Sequence, residues 1–340
     1  MIHSRGRGIE YEIAINTLPA SVNIDYHHKL VSQALAGLMK KGYVTKMGTK
    51  PSSPNGGVIY DDLAHLEVST PTYTDPFDAV IYDKVSEVYA LGGAQEASKL
   101  EAKRVVVHKT NYSTFSSNFL QRIGLIQSEL TSYATHGNST IQRASVRDWT
   151  TVLKALIPNY LARIIFMGSG DIIPGYGFVL SPRAMFVAQE SSLDTMKSRG
   201  IVNERCWKAE MGRNYCDSEK FMRLHDIHYE GLRCDWNVWI RDAWQTYVIS
   251  AFEKGLLADP PKISDPVRAI RTTSHDHEGN WKIEGPDGKT RDLVTDILRG
   301  YYWDKIRPML EEEGDIADKI CIGQIEYMLD KLESRSIETF

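Results

Sequence analysis

Apolar and polar residues alternate early in the chain and then switch to a helical rhythm. In Gly8–Ile15, Ile9, Tyr11, Ile13 and Ile15 share one face of a strand, and Glu10 and Glu12 share the other. From Asp25 to Lys41 the apolar positions Leu30, Val31, Ala34, Leu35 and Leu38 recur at helical spacing, with Lys40 and Lys41 suiting the negative end of the helix dipole. Asn55-Gly56-Gly57 is a turn signal, and Val58-Ile59-Tyr60 opens a second strand after it. That strand soon carries Asp61, Asp62, His65 and Glu67. Tyr60 and Asp62 point the same way, as do His65 and Glu67 if the strand continues. A β-α-β opening of this kind predicts an α+β enzyme rather than a helical bundle or a sandwich.

Further elements follow from the same patterns. A helix is expected over Pro76–Leu91, ended or interrupted by Gly92-Gly93, and a strand over Arg104–Lys109. Thr110–Asn118 reads as a polar loop, with helix resuming from Phe119, and Ser132–Ser145 is polar enough to read as loop. The apolar run Ile164–Met167 leads into Gly168-Ser169-Gly170-Asp171 as a strand entering a turn, with Tyr176–Leu180 as its return. That glycine turn has the spacing of neither a P-loop nor a dinucleotide fingerprint. The segment RLHDIHYEG, around His225, alternates like a strand, and Trp236–Lys254 is an amphipathic helix. Tyr301–Phe340 is helical, with Glu311–Asp315 as a solvated break.

Composition narrows the classes. The chain has 340 residues, 42% of them hydrophobic and 25% charged, with a formal net charge of -4. These values describe an ordinary globular protein with enough chain for a large core, and they argue against a general binder of nucleic acid or anionic membranes. No apolar run approaches the roughly 20 residues of a membrane span, and the start of the chain lacks the apolar segment of a signal peptide. Four cysteines are too sparse for a disulfide scaffold, so a reducing cytoplasm is the simplest compartment.

The acids are the candidate chemistry. Carboxylates on a buried strand face cost several kcal/mol each unless they meet a cation or a hydrogen-bonding partner. Glu10 and Glu12 on one strand, with Asp62 and Glu67 on another, would repel unless a hard divalent cation sits between them. Edge strands with their acids in water are the alternative, and the pattern alone leaves both open. A zinc site from His225, His228, Cys206, Cys216 and Cys234 follows no standard ligand spacing.

Several segments, in order, resemble the Pup ligase and depupylase family of carboxylate–amine ligases. GIEYEI is similar to the family's G-x-E-x-E strand. NGGVIYDDLAHLEVSTP is similar to N-G-x-x-x-Y-x-D-x-x-H-P-E-Y-x-T-P. LSPRAMFVAQESS, GIVNERCWKAE and RLHDI resemble the segments V-S-Q-R-A, P-I-I-N-T-R-D-E-P-H-A and R-L-H-V-I. The stretch from Asp265, DPVRAIRTTSHDHEGNWKIEGPDGKTRDLVTDILRGYY, resembles the part just after the catalytic core.

The resemblance implies a glutamine synthetase-like α+β fold, a curved antiparallel sheet packed with helices. It implies a catalytic domain over residues 1–300 and a shortened helical C-terminal region over 301–340. It also implies that Glu10, Glu12, Tyr60, Glu67 and His225 line magnesium sites, and that Asp62 is the catalytic aspartate. Arg205 would lie near the transferring phosphate, and Arg183 and Asn118 would join it in nucleotide binding. The implied activity is an ATP- and Mg2+-dependent carboxylate–amine ligase. A depupylase-like amidase and a degenerate nucleotide-binding scaffold are the alternatives.

Departures from the family pattern are specific. H-E-N-Y-L is replaced by Ser116-Ser117-Asn118-Phe119-Leu120, which puts Ser116 at a histidine ligand position, and H-P-E-Y is replaced by His65-Leu66-Glu67-Val68. After His225 the G-D-S-N-M-S-E run is absent. These changes fall on substrate-facing segments, so a substrate other than Pup is expected, a small-molecule or peptide carboxylate and amine.

Overall fold

The computed structural model describes all residues except 1–5, 19–22, 48–49, 110–112, 115–129, 134, 174, 196–197, 206, 208–219 and 336–340. The central strand is β1 (Arg7–Thr17), followed by helix α1 (Ile24–Lys40) and strands β2 (Thr45–Met47), β3 (Lys50–Ser52), β4 (Val58–Asp62) and β5 (His65–Ser69). Helix α2 (Pro76–Glu101) leads to β6 (Val105–His108), β7 (Ser113–Thr114), β8 (Leu130–Thr131) and β9 (Thr135–Gln142). Helix α3 (Trp149–Met167) precedes the hairpin β10 (Asp171–Ile173) and β11 (Gly177–Val179), then β12 (Gln189–Ser192), β13 (Gly200–Asn203) and β14 (Phe221–Asp226). Among the described residues, ten strands form the main sheet, in the order β12-β13-β14-β9-β1-β5-β4-β3-β2 with β6 also on β1. Its ladders are antiparallel except for the parallel pair β12–β13, so the expected α+β architecture is present.

Period-two alternation gives the sheet two different faces. Ile9, Tyr11, Ile13, Ile15, Ile59, Leu66 and Val68 are buried against Leu30, Val31, Ala34 and Leu38 of α1 and Ala79, Ala90, Ala94 and Ala97 of α2. Farther along the sheet, Ile141, Met222 and Leu224 join a larger core with α3 and helix α4 (Asp235–Glu253). With the apolar residues committed to one face, Glu10, Glu12, Tyr60, Asp62 and Glu67 are left on the other.

Helix α2 corrects one expectation, because it runs through Gly92-Gly93 to Glu101. The glycines serve packing rather than termination. A Cβ on Gly93 would lie 2.8 Å from Cβ of Ala34, and one on Gly37 would lie 2.2 Å from Cβ of Glu96. Each glycine costs a helix interior about 1 kcal/mol relative to alanine, and here that cost permits the close crossing of α1 and α2.

Three further expectations change. Ile164–Met167 is the last turn of α3, not a strand, since the apolar residues before it extend one buried helix. The hairpin lies just beyond it, with Ile172 opposite Phe178. Ser132–Ser145 is not loop, because it contains β9, which pairs with both β1 and β14. Its polar residues conceal a central strand because one face carries site residues and the other presents Gly137, packed so closely on Tyr229 that a Cβ would sit 2.5 Å from the ring. Finally, the acidic segment from Tyr60 to Glu67 turns back on itself at Leu63 and Ala64, both at positive φ (48° and 69°).

The chain closes with helix α5 (Pro266–His275), the strand pair β15 (Lys282–Glu284) and β16 (Thr290–Asp292), and a π-helical run, Leu293–Trp303. Helices α6 (Asp304–Glu313) and α7 (Ile316–Ser334) follow, separated at Gly314-Asp315 near the expected break. Asp315 and Asp318 form a capping box at the start of α7, and Cys321, Ile325, Met328, Leu329 and Leu332 bury themselves in the larger core. Among the described residues no helix is long and apolar enough to cross a membrane.

Candidate active site

Strand register assembles the acidic face. Glu12 of β1 lies opposite Glu67 of β5, and Glu67 lies opposite Tyr60 of β4. Glu10 lies opposite Ser69 on one side and His136 of β9 on the other. His225 of β14 pairs with Asn138, bringing it onto the same face. Two groups result, Glu12–Asp62–Glu67 and Glu10–His136–His225, and within each the potential ligand atoms lie within 4.8 Å of one another. The turn at Leu63-Ala64 keeps Asp62 opposite His65, so the acids expected to share a face do so across a hairpin.

The electrostatics of this face are strained by its own charges. Burial, then the charges of Glu10 and Glu12, push Glu67 up to about 9, against a hydrogen bond donated by Tyr60 Oη. Burial and the neighbouring Glu67 also raise the Tyr60 hydroxyl. Asp62 is raised by burial and by Glu12. Burial acts to raise Glu10 too, but the hydrogen bond with His136 and the Arg223 guanidinium work against it, and Glu10 is brought down to about 2. Arg223 Nη2 donates to Glu10 Oε1 at 3.0 Å.

A divalent cation fits this donor set. Hard oxygen ligands are what Mg2+ and Ca2+ prefer, and a cation would relieve the repulsion that holds Glu67 protonated. His225 adds a second observation. It is 5% exposed, and among the described residues neither of its ring nitrogens has a hydrogen-bond partner. Burial, Arg223 and His136 hold its pKa well below the usual histidine range, so the ring is neutral and able to ligate.

The other predicted residues fall outside these two groups. Arg205 is exposed on the loop after β13, where Nε donates to the Leu193 carbonyl at 3.0 Å and Nη2 to Thr195 Oγ1 at 3.3 Å. Its charge reaches His225. Arg183 is buried, with Nη2 3.0 Å from His136 Nε2 and Nε donating to the Ile227 carbonyl at 2.9 Å. Asn118 and Ser116 lie outside the described residues. Asp61 points away from the acidic face and pairs with His28 at 2.8 Å. His65 is buried against Tyr133, with ring centroids 4.1 Å apart, and burial lowers its pKa to about 4. Cys206 and Cys216 lie outside the described residues, and Cys234 is exposed and joins neither group.

His136 is the site residue that sequence reasoning missed. One signal for it was the alternation of His136, Asn138 and Thr140 in a stretch otherwise read as loop.

Comparison with known proteins agrees with this architecture. A family model described as Pup-ligase protein matches residues 8–339. The chain is 29% identical over 264 residues to a depupylase of Acidothermus cellulolyticus, covering 76% of this chain and 48% of that protein. It is 27% identical over 271 residues to a Pup–protein ligase of Sanguibacter keddieii, covering 78% of this chain and 55% of that one. The chain thus spans about half the length of the curated relatives it matches. The crystal structure of Pup in complex with its ligase PafA superposes with a TM-score of 0.73 at 18% identity, covering 98% of this chain and 65% of that one. PafA in complex with ADP gives a TM-score of 0.63 at 18% identity over 85% of this chain and 61% of that one. The glutamine synthetase-like α+β fold implied by the sequence is the fold of this chain, which belongs to the Pup-ligase family.

Proposed function

We propose that the chain is an ATP- and Mg2+-dependent carboxylate–amine ligase. The observation that carries this reading is the meeting of Glu12, Asp62 and Glu67 beside Glu10 and His225 on one sheet face. Glu10, Glu12, Tyr60, Glu67 and His225 would hold Mg2+, which supplies charge neutralisation to the phosphate oxygens. Arg205, on the loop beside His225, would meet the transferring phosphate, and Asn118 would contribute to nucleotide binding.

The chemistry needs activation on both sides. A carboxylate is a poor electrophile, so transfer of the γ-phosphoryl group of ATP converts it to an acyl phosphate and releases ADP. The amine then attacks the acyl carbon, phosphate leaves, and Asp62 takes the amine proton. Burial is the largest influence raising the Asp62 pKa, and a raised pKa favours taking a proton from the amine.

The substrate is proposed to differ from Pup, because the family's G-D-S-N-M-S-E run after His225 is absent. Small-molecule or peptide carboxylates and amines are the proposed partners. The proposed division keeps residues 1–300 as the catalytic domain and 301–340 as a helical extension. A depupylase-like amidase is the second reading, favoured by the depupylases among the similar relatives.

Incubation with ATP, Mg2+ and a panel of acids and amines, followed by mass spectrometry, tests the reading. A new amide with stoichiometric ADP supports ligation. Cleavage of an amide without net ATP consumption would replace it with the amidase.

A further inference from the structure

Asp62 and His65 face each other across a two-residue turn, Leu63-Ala64, in which both residues have positive φ (48° and 69°). That is the geometry of a type I′ hairpin turn, which glycine and asparagine adopt readily and which leucine and alanine disfavour. Nothing in the pair Leu63-Ala64 selects this turn, so it is held from outside.

Asp61 supplies the hold. Its Oδ1 accepts the Ala64 N–H at 3.0 Å, and its Oδ2 meets Nδ1 of His28 at 2.8 Å. Ala64 is fully buried against Ile24. Ile24 and His28 stand one turn apart on the same side of α1, so the start of that helix brackets the hairpin at two points. The family pattern Y-x-D leaves position 61 open, and in this chain an acid fills it.

We propose that Asp61 is a positioning residue for Asp62: by holding the Ala64 amide and tying it to His28 of α1, it keeps the turn left-handed and the Asp62 carboxylate on the acidic face. This role rests on Asp62 acting as the general base. A turn with negative φ would splay the two strands, because the primed turns are the ones that match strand twist. Asp62 is the last residue of β4 before the turn and would move first, relative to Glu12 and Glu67 of its group. Glu67 lies farther down the ladder, held between Tyr60 of β4 and Glu12 of β1, and would move less. Loss of Asp61 therefore separates the base from the metal-holding carboxylates.

Calorimetric binding of ATP and Mg2+, paired with ADP formation on the acid and amine panel, tests this. Misplacing a reacting group by about 1 Å can cost about 100-fold, so turnover should fall by about 10–100-fold in Asp61→Ala while binding is retained. Asp61→Asn keeps an oxygen for the Ala64 N–H and should stay near wild type. Adding Leu63→Asn and Ala64→Gly to Asp61→Ala supplies a turn that is left-handed unaided, and turnover should recover. The positioning role is overturned by wild-type turnover in Asp61→Ala, by a parallel loss of binding, by an equal loss in Asp61→Asn, or by no recovery in the triple variant. A wild-type protein without turnover would sink the ligase reading. Amide exchange at Ala64 would then still decide the hold, since it should be slow in wild type and fast in Asp61→Ala, and equal exchange in both overturns it.

Discussion

Glu12 and Glu67 occupy directly opposed positions on β1 and β5, so two carboxylates meet across an antiparallel ladder. Like charges at such positions destabilise a sheet unless something neutralises them. In this protein a proton does so, with burial and the charges of Glu10 and Glu12 raising Glu67 to about 9.

Metal binding is therefore expected to displace that proton. At pH 8, below the raised value, Glu67 is mostly protonated, and Mg2+ should release close to one proton as it binds. Calorimetry in two buffers of different ionisation enthalpy measures the release. It should shrink above pH 10, where Glu67 is already ionised, and it should disappear in Glu67→Gln. Binding with no proton release at pH 8 contradicts the raised Glu67.

The crossing of α1 and α2 gives a test of packing against propensity. Gly93→Ala gains about 1 kcal/mol of helix propensity. Its new methyl would press on Ala34 at 2.8 Å, and overpacking of this kind costs about 1–3 kcal/mol. The contact is expected to win, so thermal unfolding should show a lower Tm. A raised Tm would mean the two helices separate without penalty.

Glu230 links folding to pH. It is buried, and burial raises it to about 7 despite hydrogen bonds from Ser181 Oγ, the Arg183 amide and Ser169 Oγ. Its folded pKa is above its unfolded value, so its contribution to stability is complete below about 4.5 and is lost as pH rises through about 7. By linkage the loss is at most about 3 kcal/mol. Glu230→Gln should become more stable relative to wild type across this window. Denaturant unfolding at pH 5 and pH 8 measures the difference, and an unchanged gap between the two proteins rules out the effect.

Much of the acidic face was legible because alternation in a strand is a strict rule. Glu10 and Glu12 had to share a face opposite Ile9 and Tyr11, and they do. The hairpin at Leu63-Ala64 was harder to read, since neither residue favours the positive φ it adopts. His136 was hidden because β9 is a central strand with few apolar residues, its pairing supplied by β1 and β14 on either side. Gly92-Gly93 misled because a glycine needed for helix contact looks the same in sequence as one that ends a helix. Arg183 lay in a matching motif, but only its burial revealed a contact with His136.

Holding the nucleotide and performing the chemistry divide at Asp62. The decisive measurement pairs calorimetric binding of Mg2+ and ATP with turnover, as ADP formed with the acid and amine panel, in wild type and Asp62→Asn. Binding should be retained while turnover falls by about 10²–10⁴-fold, the usual contribution of a general base. Unchanged turnover in Asp62→Asn would rule out Asp62 as the general base.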